Sequence, residues 1–97
     1  MAVPSRIVLY TLTESDADVI ASRRAAWATL LLERPELAGG AGIHWGGKAI
    51  AGHAYPMIIS ADGGRVLNGQ VFLDGNDTLY VRDVHEGRGP GAWHEDE

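Results

Sequence analysis

A chain of 97 residues with no cysteine and 45% hydrophobic residues has room for one compact core, and it excludes a disulfide framework, thiol catalysis and a Cys-ligated zinc site. Its formal charge of −5 is unevenly spread, with five basic and five acidic side chains in residues 1–50 but three and eight in residues 51–97. Arg23-Arg24 is the only close pair of cations, so the clustered basic footprint of a nucleic-acid-binding protein is missing, and a basic partner surface suits the acidic half better.

The N-terminal MAVPSRIVLYTLT has one Arg, a short apolar stretch and no small-residue cleavage pattern, which does not meet the requirements of a signal peptide. No apolar run approaches the roughly 18 residues of a membrane span. The expectation is a soluble, unprocessed protein of a single domain, residues 1–97, with a strand plus helix over 7–34 and a β-rich part over 42–94. All thirteen glycines follow Ala38, so the two parts are built differently.

In the first part, Ile7 to Leu12 is a short strand. Thr13-Glu14-Ser15-Asp16 then opens a helix with a hydroxyl N-cap and acids in the first turn, where they favour the helix dipole. Ala17, Ile20, Trp27 and Leu31 recur at helical intervals, with Ala21, Ala25, Ala28 and Leu32 beside them. The helix should run about five turns and stop before Pro35, which disfavours helical geometry at Arg34.

Beyond Gly39-Gly40 come short apolar pieces between turn signals: 43–45, 48–50, 55–60, 66–73 and 79–84. Four or five strands fit. Val71-Phe72-Leu73 and Leu79-Tyr80-Val81 flank Asp74-Gly75-Asn76-Asp77, which reads as a β-hairpin because Asp-Gly and Asn readily take the positive φ that hairpin turns require. Turns this frequent predict an α+β fold in which one N-terminal helix packs on a small antiparallel, SH3-like β-barrel or sheet. Trp93 is expected to pin the acidic tail to it.

Candidate chemistry is sparse. His44, His53, His85 and His94 form two pairs nine residues apart, a spacing that matches no metal-ligand motif. The Asp74–Asp77 stretch lacks the glycine and acid that a calcium loop needs at its sixth and twelfth positions, and reads as a turn in which Asp74 and Asn76 bond the local backbone. Neither Gly39-Gly40-Ala41-Gly42 nor Gly87-Arg88-Gly89-Pro90-Gly91 leads into a helix, so both read as connections rather than phosphate cradles. No serine stands in a strand-turn-helix elbow. No metal, cofactor or catalytic residue is therefore assigned, and the protein is expected not to be an enzyme. Of the large aromatics, Trp27 is expected in the core, with Trp45 or Trp93 the better candidates for a partner surface.

Tyr10-Thr11-Leu12-Thr13, Asp16-Ala17, Arg23-Arg24, Gly42 to His44, Gly46, Pro56-Met57-Ile58, the run NGQVFLDGND from Asn68 to Asp77, Gly89, Gly91 and Trp93 together resemble a group of small uncharacterised proteins of tailed bacteriophages and prophages, many from actinobacterial hosts. The resemblance covers most of the chain, and its specificity lies in Asn68–Asp77. The chain departs from that pattern at Gly47, His53 and Tyr80, where Asn, Asp and Trp are usual. The resemblance implies a viral accessory protein and brings no catalytic residue, cofactor or partner with it.

Size, acidity and the lack of catalytic motifs then lead to a non-catalytic binding protein of the counter-defence type. It would act in the host cytoplasm during infection, engaging a host or viral protein or sequestering a small signalling ligand, with no role for nucleic acid or membrane. Its expected binding residues are Arg23, Arg24, Trp45, Asp74, Asn76, Asp77 and Trp93, and its small size favours a homodimer. The alternative is a virion component, a capsid decoration or head-to-tail protein.

Overall fold

The computed structural model describes residues 6–38 and 42–95. Within them the chain forms β1 (Ile7–Thr11), α1 (Glu14–Glu33), a 3-10 turn (Pro35–Ala38), β2 (Ala54–Asp62), β3 (Val66–Phe72), β4 (Thr78–His85) and β5 (Trp93–His94). The five strands make one antiparallel sheet in the order β4-β3-β2-β1-β5. The sheet curls until Trp93 forms a parallel bridge with Glu86, just past β4, and the Gly87 N–H donates to the Trp93 carbonyl at 2.7 Å. The result is a half-barrel with one helix packed against it, the α+β class read from the sequence. The signal-peptide reading over residues 1–5, the Gly39-Gly40 break with its glycine loop up to Ala41, and Asp96-Glu97 of the acidic tail lie outside the described residues.

Local chemistry sets the helix ends. The Asp16 N–H donates to Thr13 Oγ1 at 2.9 Å, and the Thr13 N–H donates to Asp16 Oδ2 at 3.0 Å. This reciprocal capping box satisfies two backbone donors that a helix start otherwise leaves open. Tyr10 donates its hydroxyl proton to the same Asp16 oxygen at 2.5 Å, so the end of β1 and the first turn of α1 are fastened together. At the other end the Arg34 N–H closes on the Leu30 carbonyl at 2.7 Å, and Pro35 begins the 3-10 turn.

Period-two alternation fills the core, because successive strand side chains point to opposite faces. Val8 and Tyr10 of β1, Met57 and Ile59 of β2, Leu67 and Val71 of β3, and Leu79 and Val81 of β4 all face inward, where Leu12, Ile20, Ala49, Leu73 and Trp93 join them. A bulge interrupts the alternation in β4. Asp83 takes φ 56°, its N–H donates to Asn68 Oδ1 at 2.8 Å, and Val84 turns back to the inside.

Four expectations are corrected. Residues 43–45 and 48–50 are not strands: Trp45 makes only an isolated bridge to Gly75, because in place of a strand ladder the N–H groups of His44 and Gly47 go to side chains of the hairpin loop, that of Gly46 to the Asp74 carbonyl and that of Ile50 to the Tyr55 hydroxyl. The hairpin turn does not use positive φ at Gly75 or Asn76. Among the described residues that conformation falls on Gly52, Gly64, Gly91 and Asp83. Trp27 is only partly buried, its ring lying so close to Gly42 that a Cβ there would stand 2.1 Å from Trp27 Cζ2. The buried residues of α1 are Ile20 and Arg24, and Leu32 is 84% exposed.

Candidate functional site

The hairpin loop Leu73–Asp77 grips the 42–47 segment through its side chains. Asp74 Oδ2 accepts from the Gly47 N–H at 2.6 Å, and the Gly46 N–H donates to the Asp74 carbonyl at 2.8 Å. Asn76 accepts from the His44 N–H at 2.8 Å through Oδ1, and donates to the Gly42 carbonyl at 2.9 Å through Nδ2. These partners are some thirty residues away, in place of the neighbouring backbone expected for a simple turn. Gly75 sits where the two segments touch: a Cβ there would lie 2.7 Å from the His44 carbonyl oxygen and 2.9 Å from Trp45 Cα.

Helix α1 is tied to the same place. Arg24 donates from Nε to Asp77 Oδ2 at 2.8 Å, from Nη2 to Asp77 Oδ1 at 3.0 Å and from Nη1 to the Gly47 carbonyl at 3.0 Å. Its guanidinium carbon lies 5.5 Å from the centroid of the Trp45 ring, within cation–π range. The two charges are almost wholly buried. The hydrogen bonds from Arg24 hold the Asp77 carboxyl below the usual carboxylate range, and the bonds to Asp77 raise the guanidinium further.

The 45–51 segment, fixed in this way, stands off from α1 and leaves a groove. Its deeper part, about 400 Å³, lies between Ala17, Ala21, Ala25 and Ala28 of the helix and Trp45, Lys48 and Ala49 of the segment, with Ile20 and Arg24 at its base. It adjoins a wider part of about 700 Å³ along Glu14, Asp18, Ile50 and Ala51, with which it shares Ala17, Ala21, Lys48 and Ala49. Trp45 is 38% exposed, and Lys48 is also open to solvent. An aromatic ring, a facing helix wall of small residues and one accessible cation form a surface that can stack a flat group and meet a negative charge.

Five of the seven residues predicted as a binding set thus come together: Arg24, Trp45, Asp74, Asn76 and Asp77. Only Trp45 and Arg24 line the groove. Asp74, Asn76 and Asp77 brace its outer wall, and Arg24 and Asp77 are joined to each other by two hydrogen bonds. Arg23 is partly buried beside them, with Nε and Nη2 making no hydrogen bond. Trp93 is not a surface residue: it is 3% exposed, donates from Nε1 to the Arg65 carbonyl at 2.9 Å and lies under Arg6. It fills the volume where the sheet closes. Lys48 and the four alanines were missed. Their signal was four small residues at positions 17, 21, 25 and 28, a helix face too shallow to fill a core.

Among the described residues no three His, Asp or Glu side chains are grouped to hold a metal ion. No described helix is long and apolar enough to cross a membrane. No protein-family model matches the chain, and neither a curated protein nor a solved structure is significantly similar to it.

Proposed function

We propose that this is a small non-catalytic binding protein whose ligand lies in the groove between α1 and residues 45–51. The observation that carries the reading is the exposed Trp45 ring and Lys48 lining one side of the groove opposite the alanines of α1, in a cleft whose wall is anchored by hydrogen bonds. A ligand with a flat ring and a negative group fits that chemistry: the ring stacks on Trp45 and the anion meets Lys48. Such a ligand is a nucleotide-like signalling molecule, or an aromatic and acidic side-chain pair on a host protein. In the phage setting that the resemblance implies, the site sequesters it in the host cytoplasm during infection.

Thermal shift against a nucleotide panel, with capture from host lysate alongside, tests this. A ligand raising Tm for the wild type but not for Trp45→Ala or Lys48→Ala supports the reading. Empty results from both assays, or binding that survives both substitutions, overturn it.

The alternative, a virion component, is favoured by one feature, the outer edge of β4, which no strand among the described residues pairs before the Glu86–Trp93 bridge, since an unpaired edge is a template for another chain. The bulge at Asp83 and the charges of Arg82 and Glu86 interrupt that edge, which is why the first reading is preferred. Mass spectrometry of purified particles separates the two.

A further inference from the structure

Charge is ordered along the groove. The 45–51 segment passes α1 in the opposite direction: Trp45 lines the deeper part with Ala25 and Ala28, Lys48 is shared by both parts, and Ile50 and Ala51 line the wider part with Glu14 and Asp18. An aromatic ring, a cation and two carboxylates therefore follow one another toward the start of the helix. Lys48, Glu14 and Asp18 are exposed and make no ion pair with any described residue, whereas Arg24 is neutralised by Asp77. One open cation against two open carboxylates leaves the lining net negative. A polyphosphate laid along it is repelled beyond Lys48. A ligand that runs aromatic, negative, positive meets a complementary group at each step.

The backbone of the same segment points to a peptide independently of charge. The N–H groups of Gly46, Gly47 and Ile50 are bonded, but the N–H and C=O groups of Lys48, Ala49 and Ala51 make no hydrogen bond with any described residue. Ala49 is only 6% exposed, so water has little access to it, and backbone groups shut off from water are seldom left unpaired. An extended peptide alongside supplies a row of donors and acceptors, as an added strand does. A nucleotide has no such row. Ala28 stands fourteen residues beyond Glu14 on α1, roughly 21 Å along the axis, a length that about six extended residues span. Only every second side chain of an extended segment faces the groove. We propose, on the reading that this groove is the binding site, that its occupant is a short extended segment of another protein, with an aromatic, an acidic and a basic side chain at alternate positions. The ring lies on Trp45, the carboxylate meets Lys48, and the cation meets Glu14 and Asp18.

The test is calorimetric titration of the full chain with the end-capped peptide Phe-Ala-Glu-Ala-Arg-Ala and its reverse, carried to about 1 mM so that weak complexes register. One of the two directions should bind. Exchanging its acid and base should weaken binding by about tenfold or more, since like charges then face each other. Lys48→Glu should cause a similar loss, and a peptide with Lys in place of its Glu should recover it on that variant. Ala21→Leu, at an exposed position on the helix wall, should block binding with far-UV circular dichroism unchanged. Bound peptide should also slow hydrogen exchange at the Lys48 and Ala49 amides. Binding that ignores the charge order, or leaves both amides unprotected, overturns the proposal. If neither peptide binds while a nucleotide raises Tm in a Trp45-dependent way, the peptide is overturned and the groove remains the binding site. If neither peptide nor nucleotide binds, both readings fall.

Discussion

Arg24 and Asp77, 53 residues apart in sequence, hold each other through hydrogen bonds of 2.8 and 3.0 Å at a point where both side chains are almost shut off from water. The pair joins the helix to the β-hairpin and, through the third Arg24 bond, to the wall of the groove. Asp77→Asn or Arg24→Ala leaves one buried charge without its counter-charge, which costs about 3–5 kcal/mol. That is a large share of the roughly 5–15 kcal/mol that holds a domain together. Each single variant should therefore show a strongly lowered urea midpoint. The double change Arg24→Met with Asp77→Leu removes both charges and fills the space, and should recover most of the loss. A double variant no more stable than the worse single one would show that the pair does more than satisfy itself.

The same pair sets a dependence on acid. Asp77 has its folded-state carboxyl held down by Arg24, so its contribution to stability is fully present above the unfolded carboxylate value of about 3.9. It is lost as pH falls below that value and through the depressed folded one. Denaturant titrations between pH 6 and 2 should show stability falling most steeply below about pH 4. The Arg24→Met, Asp77→Leu protein should have a shallower slope over that window. An unchanged slope would assign the acid sensitivity to other carboxylates.

Tyr10 behaves in the opposite sense. Its hydroxyl is buried and bonded to Asp16, and burial first, then that hydrogen bond, pushes its ionisation far above the ordinary value near 10. The folded protein keeps this phenol neutral, so its contribution is present below pH 10 and is lost as pH rises toward the folded value. Of the three tyrosines, one should fail to titrate by ultraviolet absorbance until the protein unfolds in alkali. Tyr10→Phe should remove that late step. Asp16→Ala, which also breaks the capping box, should cost about 1–2 kcal/mol.

What was legible in the sequence follows the range of the interactions involved. The hydroxyl N-cap at Thr13, the stop at Pro35 and the strands β2, β3 and β4 rest on neighbours within a few residues, and all are present as read; the reciprocal bond from Asp16 that completes the cap was not read. Residues 43–45 were misread as a strand because their conformation depends on Asp74 and Asn76, about thirty residues downstream. No local pattern in Ile43-His44-Trp45 announces those partners. Arg24 was singled out as a binding residue for its charge, and only the folded chain shows that charge buried against Asp77. Trp93 was assigned to the surface because aromatic side chains near a terminus carry no sign of the bridge to Glu86 that encloses them.

The junction between hairpin and groove gives the last prediction. Gly75 has ordinary backbone angles, so its requirement is for space: a methyl group would collide with the His44 carbonyl and with the backbone at Trp45. Neither is the tip of a flexible side chain, and relief requires the 42–47 segment to move outward. Gly75→Ala should then cost about 1–3 kcal/mol, the usual penalty of overpacking. Its distinctive mark is local: hydrogen exchange should speed at the His44 and Gly47 amides, whose acceptors are Asn76 and Asp74, while the amides of β2 and β3 slow or speed only with global stability. Asp74→Ala should loosen Gly47 but leave His44 protected, because Asn76 still holds it. If Gly75→Ala leaves both amides protected, the hairpin loop does not hold the groove wall in place.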